Sequence, residues 1–176
     1  MKEYNNLITC DLVCHGVPSQ KLFHKYLEYL SDKFRSKVVS YEFRSKDKKG
    51  WGLISKIKTA DGKVRYREPD FDPYYSNFLE SNIYRENCYK CHYANYNRCS
   101  NITLADYWGI DDVHSEFSNK SGNTLILTNN TKGEEVFNKI KDNLQSIPTD
   151  LDIAARYNKN LIEPSKRSPK RDKIYL

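Results

Sequence analysis

No stretch of about 18 consecutive apolar residues occurs in this chain, and 30% of its residues are charged. A membrane-spanning helix is therefore excluded, and a soluble protein is expected. The opening Met1-Lys2-Glu3-Tyr4-Asn5-Asn6 runs straight into an apolar segment without a small-residue cleavage site, so no secretory signal is read. Cysteine is present in an odd number, five. That argues against a closed disulfide framework and, with the missing signal, for a reducing, cytoplasmic setting. Glycine-rich phosphate loops are missing too: Asp106-Tyr107-Trp108-Gly109 carries a single glycine. No hydrolytic triad can be composed, and His24 and His114 stand alone. Asp106, Asp111 and Asp112 lack the spacing of a calcium loop and read as a strand end turning through polar residues. Internal repeats and low-complexity segments are absent as well.

What is present begins with charge. The net charge is +6, but lysine and arginine are interleaved with acids everywhere except at Lys166, Arg167, Lys170, Arg171 and Lys173. A diffuse excess of this kind does not mark a nucleic-acid surface. One domain over residues 1–160 followed by a solvated basic tail over 161–176 is the expected organisation, since 176 residues can bury one core. Tyrosine is abundant at fourteen. Tyr26, Tyr29, Tyr41, Tyr66, Tyr74 and Tyr75 fall inside periodic elements, where an amphipathic ring covers a core edge.

The periodicity predicts an α/β (α+β) fold, a mixed sheet with flanking helices and a cysteine-bearing loop. Leu7 to Val13 reads as a buried strand that delivers Cys14 at its C-terminal edge. A helix opening at Pro18 or Ser19 carries Leu22, Phe23, Tyr26, Leu27, Leu30 and Phe34 on one face and should end near Phe34. Val38 to Arg44 and Trp51 to Thr59 form antiparallel strands. Asp61-Gly62 then closes a two-residue hairpin onto Lys63 to Glu68, because glycine accepts positive φ in a tight turn. Asp72-Pro73 places an N-cap before a proline at the first helical position, opening a helix through Tyr75, Phe78, Leu79 and Ile83. Strands follow at Ile102 to Trp108 and Thr124 to Thr128. Thr131 and Glu134 have the spacing of a capping box for a helix with Val136, Phe137, Ile140 and Leu144 on its buried stripe.

Chemistry concentrates in the cysteines. Cys88-Tyr89-Lys90-Cys91 lets two thiolates from one tight turn reach a single metal, and a third must arrive from a distant segment, for which Cys14 is placed. Cys10 lies about 13 Å from Cys14 at strand rise, too far for one site, and is assigned to the core. A thioredoxin-like redox pair is disfavoured, because a helix precedes the Cys-x-x-Cys and a polar loop follows it. Zinc and a four-iron cluster both accept four thiolates, so residue count leaves them open.

Several segments, in order, resemble a known family. They are Asp11-Leu12-Val13-Cys14-His15-Gly16-Val17-Pro18-Ser19, Gly50-Trp51-Gly52, Cys88-Tyr89-Lys90-Cys91-His92-Tyr93, Asn101-Ile102-Thr103-Leu104-Ala105-Asp106-Tyr107-Trp108-Gly109-Ile110 and Gly122-Asn123-Thr124-Leu125. The chain is similar to the C-terminal domain of the coenzyme F420 hydrogenase/dehydrogenase beta subunit family, and the same domain looks like part of a chlorophyll-pathway reductase. The resemblance implies an iron–sulfur flavoprotein that moves electrons between FAD, a [4Fe–4S] cluster and a deazaflavin or other small redox substrate. It implies Cys14, Cys88 and Cys91 as cluster ligands, with Cys99 as a candidate fourth, and Asp106 and Trp108 at the cofactor-binding strand end. An electron donor or acceptor protein, or a ferredoxin-like domain, is the implied partner. Two positions depart from the pattern, Asn101 where the family commonly has Asp and Ala105 where it commonly has Gly. The ferredoxin-like cysteine motifs and the Thr-Pro-Cys segment that usually precede this domain do not occur here. The chain by itself is therefore expected to be an inactive part of a longer oxidoreductase, with little hold on FAD and with zinc or no metal in place of the cluster. The alternative is a non-catalytic binding module with a structural zinc–thiolate site.

Overall fold

The computed structural model describes Tyr4 and residues 6–175. Its elements, in chain order, are β1 (Cys10–Leu12), α1 (Gln20–Phe34), β2 (Val38–Glu42), β3 (Ser55–Thr59), β4 (Val64–Arg67), α2 (Pro73–Leu79), β5 (Ile102–Asp106), α3 (Ile110–Val113), β6 (Thr124–Thr128), α4 (Thr131–Ile140), α5 (Leu151–Tyr157) and α6 (Arg171–Tyr175). The fold class is mixed α/β, as expected. The strands make two three-stranded sheets, β1-β5-β6 and β2-β3-β4. The first is mixed, with β1 parallel and β6 antiparallel to β5. The second is antiparallel throughout. Two compact units result, one within Met1–His15 and Cys91–Pro164 and the other within Gly16–Lys90 and Ser165–Leu176.

The first unit carries the mixed sheet. Because side chains alternate across a strand, Val13, Ala105, Leu125 and Leu127 meet one core with Tyr107, Ile110, Ala154, Ala155 and Leu161. Strand β1 is shorter than Leu7 to Val13, although Val13 still donates to the Leu104 carbonyl at 2.9 Å. Cys10, assigned to the core on sequence, lies on the opposite face and is exposed. Helix α4 starts one residue earlier than a Thr131 cap would require: Asn130 is its N-cap and accepts the Gly133 amide at 3.0 Å. The sequence offers two adjacent capping residues, and the extended backbone of Asn130 (φ −161°) selects the first.

The second unit packs α1 and α2 against the antiparallel sheet. Tyr26, Leu30, Ile57, Tyr74 and Ile83 form its core, with Leu22, Phe23, Phe34, Val38, Tyr41, Phe43 and Phe78 around them. Leu30 and Ile57 are fully buried, each worth about 1.5–3 kcal/mol of transfer free energy. Helix α1 stops at Phe34 because Arg35 turns left-handed (φ 51°) and donates back to the Asp32 carbonyl. Of the tyrosines expected at core edges, Tyr26, Tyr74 and Tyr75 are buried while Tyr29 is exposed.

The Asp61-Gly62 hairpin exists with a different loop. The β3–β4 register pairs Lys58 with Val64, and Thr59 donates to the Lys63 carbonyl at 3.0 Å, leaving Ala60, Asp61 and Gly62 as a three-residue connection. Gly62 takes the left-handed position (φ 81°) that such a turn-plus-bulge loop requires. The Asp72 cap forms as read, accepting the Tyr75 amide at 3.1 Å. Helix α2 ends at Leu79, so Ile83 is buried from a following turn and not from the helix. Residues 165–175, expected as a solvated end, pack within the second unit: Arg171 donates to the Tyr84 carbonyl at 2.8 Å and Tyr175 to that of Ile83 at 2.7 Å.

Candidate functional site

In the first unit the end of β1 brings the chain to Cys14, whose residue is exposed. The loop after Cys91 is fixed to that strand end by Arg98. Its side chain is only 4% exposed, and the guanidinium pairs with Asp11 at 2.9 Å, donates to the Leu12 carbonyl at 3.1 Å and also bonds the Tyr93 carbonyl. A planar fork with five donors suits this triple attachment, where a lysine would offer a point charge. Ala94 donates to the Cys91 carbonyl and Asn95 to that of His92, which closes the loop on itself. Cys91 is half-buried, and Cys99, next to Arg98, is exposed. Sequence reading missed Arg98, since an isolated arginine in a polar, aperiodic loop carries no local signal.

Asp106 and Trp108 flank Tyr107 at the end of β5 and are both half-buried. Tyr107 points into the core at 4% exposure, and its hydroxyl meets Thr149 at 2.6 Å. Gly109 follows at φ 76°, where an added Cβ would fall 2.3 Å from the Tyr157 ring. The two departures from the family pattern have local roles. Asn101 accepts from the Thr9 amide (2.8 Å) and hydroxyl (2.9 Å) while its amide nitrogen donates to Asn130 (3.2 Å), a two-way bond that an ionised aspartate cannot make. Ala105 packs against the core.

Cys88 belongs to the second unit, on a short 3₁₀ turn over Glu86–Lys90. Its sulfur accepts the Val17 amide at 3.3 Å, and the Arg85 amide bonds the Val17 carbonyl at 2.9 Å. Pro18 and Tyr84 form an isolated antiparallel bridge. The Gly16–Pro18 segment, next after Cys14 and His15 in sequence, is thus laced to the turn that carries Cys88. Gly16 is needed for that approach, because a Cβ there would sit 2.2 Å from the buried Tyr84 ring.

An amide N–H aimed at a cysteine sulfur is the kind of contact that supports a metal-bound thiolate. All five cysteines are thiols. Among the described residues, however, no group of three or more His, Cys, Asp or Glu side chains is gathered closely enough to hold a metal ion. Donor chemistry therefore suits a thiolate-bound metal, while the complete ligand set is not formed by the described residues alone. No helix among them is long and apolar enough to cross a membrane.

The mixed β1-β5-β6 sheet has a cysteine just past one strand end and an Asp-Tyr-Trp-Gly turn at another. The family of the C terminus of the coenzyme F420 hydrogenase/dehydrogenase beta subunit matches residues 1–151. The chain belongs to this family. No curated protein matches it.

Proposed function

We propose that this chain is the electron-transfer domain of an iron–sulfur flavoprotein, with Cys14, Cys88 and Cys91 supplying thiolates to a [4Fe–4S] cluster. Besides family membership, the observation that carries the reading is the Val17 N–H bond to the Cys88 sulfur. A backbone N–H already aimed at that sulfur is one of the hydrogen bonds that a cluster-bound cysteine sulfur accepts. Arg98 keeps the loop that begins at Cys91 against the strand end before Cys14. Cys99 on the same loop, or a cysteine from another chain or domain, completes the four. When bound, the cluster supplies a one-electron carrier between a flavin and an acceptor. Asp106 and Trp108, at the end of β5, are the proposed FAD contacts. The electron partner is a ferredoxin-like domain or protein, and the small substrate a deazaflavin or similar redox compound.

Anaerobic reconstitution with iron and sulfide tests this directly. Wild-type protein should gain broad absorption near roughly 400 nm and about four irons per chain, as thiolate-bound four-iron clusters require. Cys14→Ser, Cys88→Ser and Cys91→Ser should each lose most of both. Colourless protein with one tightly held zinc, or cysteine variants that take up iron as well as the wild type, would overturn it in favour of a structural zinc site or no site.

A further inference from the structure

The segment 165–175 lies beyond the part of the chain that the family describes, yet it packs on the turn that carries Cys88. Arg171 is the centre of this packing. Its side chain is 13% exposed, its Nε donates to the Tyr84 carbonyl at 2.8 Å, and its terminal nitrogen pairs with Glu86 at 2.7 Å. The guanidinium also lies 4.5 Å above the Tyr175 ring. Arg167 adds a second grip on Glu86, at 2.9 Å, and holds that carboxyl below the usual range. Tyr175 reaches both flanks, donating to the Ile83 carbonyl at 2.7 Å and accepting the Ser19 amide at 3.4 Å.

The Arg171 and Arg167 bonds end on Tyr84 and Glu86, which frame the Cys88 turn. Tyr84 bridges Pro18, Glu86 opens the 3₁₀ turn, and the Cys88 amide bonds the Arg85 carbonyl at 2.9 Å. A surface ion pair alone contributes little. The arrangement differs because Arg171 joins one carbonyl, one carboxylate and one ring through a single rigid plane, which fixes the turn's position as well as its charge. We propose that Arg171, braced by Tyr175 and Arg167, is a positioning residue that clamps the Cys88 turn and keeps its sulfur on the Val17 amide. The functional consequence, a sulfur held ready for a metal, rests on the cluster reading given above. The clamp itself does not.

Alkylation of the metal-free, reduced full chain with iodoacetamide, read cysteine by cysteine by mass spectrometry, separates the two. Exposed Cys10 is the internal reference. In wild type, Cys88 should react more slowly than Cys10, because the residue is half-buried and its sulfur is engaged by the Val17 amide. Arg171→Ala should speed Cys88 at least about fivefold relative to Cys10, following the dependence of thiol reactivity on access and hydrogen bonding. Glu86→Gln, which leaves the C-terminal segment intact, should act in the same direction, and the double variant should not exceed the larger single effect. Arg171→Lys, which keeps charge without the planar fork, should restore less than half of the protection. An unchanged Cys88 rate in both single variants, or equal acceleration of all five cysteines, would overturn the clamp. Iron uptake by the same variants reports the other reading: wild type that binds no iron defeats the cluster assignment while leaving the alkylation result intact.

Discussion

Replacing Asp72 removes the polar hub of the second unit. The carboxylate is fully buried. It accepts from the Tyr26 hydroxyl at 2.7 Å, the Tyr41 hydroxyl at 2.6 Å, the Ser55 hydroxyl at 3.1 Å and the Tyr75 amide at 3.1 Å. It therefore ties α1, β2, β3 and the start of α2 to one point. In Asp72→Ala the lost N-cap costs about 1 kcal/mol. The two phenols lose a charge-assisted acceptor at about 1.5 kcal/mol each, whereas Ser55 retains the Arg67 carbonyl at 3.3 Å. Destabilisation of about 4 kcal/mol follows. With a urea slope of about 2 kcal/mol/M, the midpoint should fall by about 2 M. Asp72→Asn keeps the volume and one acceptor oxygen and should lose about half as much. The assay is urea unfolding in a Trp108→Phe background, where Trp51 of the second unit is the remaining tryptophan. A loss below about 1 kcal/mol in the alanine variant, or an asparagine variant more stable than wild type, would refute the reasoning. The second result would mean that desolvating the charge outweighs its hydrogen bonds.

Two glycines with the same backbone hand should respond unequally to alanine. Gly109→Ala combines strain at φ 76° with a Cβ 2.3 Å from the Tyr157 ring. Moving that ring also forfeits its bond to Asp112, so a loss of about 2–3 kcal/mol is expected in thermal unfolding. Gly62→Ala meets open space at φ 81° and should cost only about 1 kcal/mol; equal losses would show that the Tyr157 contact does not matter. Alkaline titration should divide the fourteen tyrosines. Burial pushes Tyr74 and Tyr75 up to about 12, and it raises Tyr26 and Tyr41 as well, helped by their bonds to Asp72. Phenols with raised folded-state values contribute their full stability below the unfolded value of about 10 and lose it as pH rises through the folded values. At pH 11, phenolate absorbance should lag for these four in folded protein, and stability should fall steadily above pH 10. A single transition of all fourteen with native circular dichroism retained would contradict this.

Local chemistry wrote much of the architecture legibly. A β-branched and aromatic run located β2, and alternation located β4 and the C-terminal half of the Trp51 to Thr59 run, where β3 begins only at Ser55. The apolar spacing of α1 located its end at Phe34, and Asp72-Pro73 marked the cap of α2, because each signal lies within one turn or one strand. Errors arose where two local solutions compete. Asn130 and Thr131 both cap helices, and only the extended backbone at Asn130 decides between them. Asp61-Gly62 suits two-residue and three-residue hairpins alike, and the register of Lys58 against Val64 decides. Cys10 shows the limit of reading burial from strand membership. In a short edge strand, alternate residues face outward, so an apolar-looking position can be exposed.

The cysteines of the proposed site stood out in the sequence, and the residues that hold their segments in place did not. Cysteines at metal-like spacing declare themselves because few other uses explain the pattern. Arg98 and Arg171 do not, since each acts through partners far away in sequence: Arg98 on Asp11 and Leu12, Arg171 on Tyr84 and Glu86. Both are arginines with little exposed side chain, at 4% and 13%. Long-range polar bonds of this type leave no periodicity, and their donors look like ordinary surface charge in a chain of net charge +6. The basic excess near the C-terminus, which read as a solvated end, is thereby explained in part. Arg167, Lys170 and Arg171 face Glu86, Glu80 and Asp172, so three of its five cations are paired with carboxylates of their own unit.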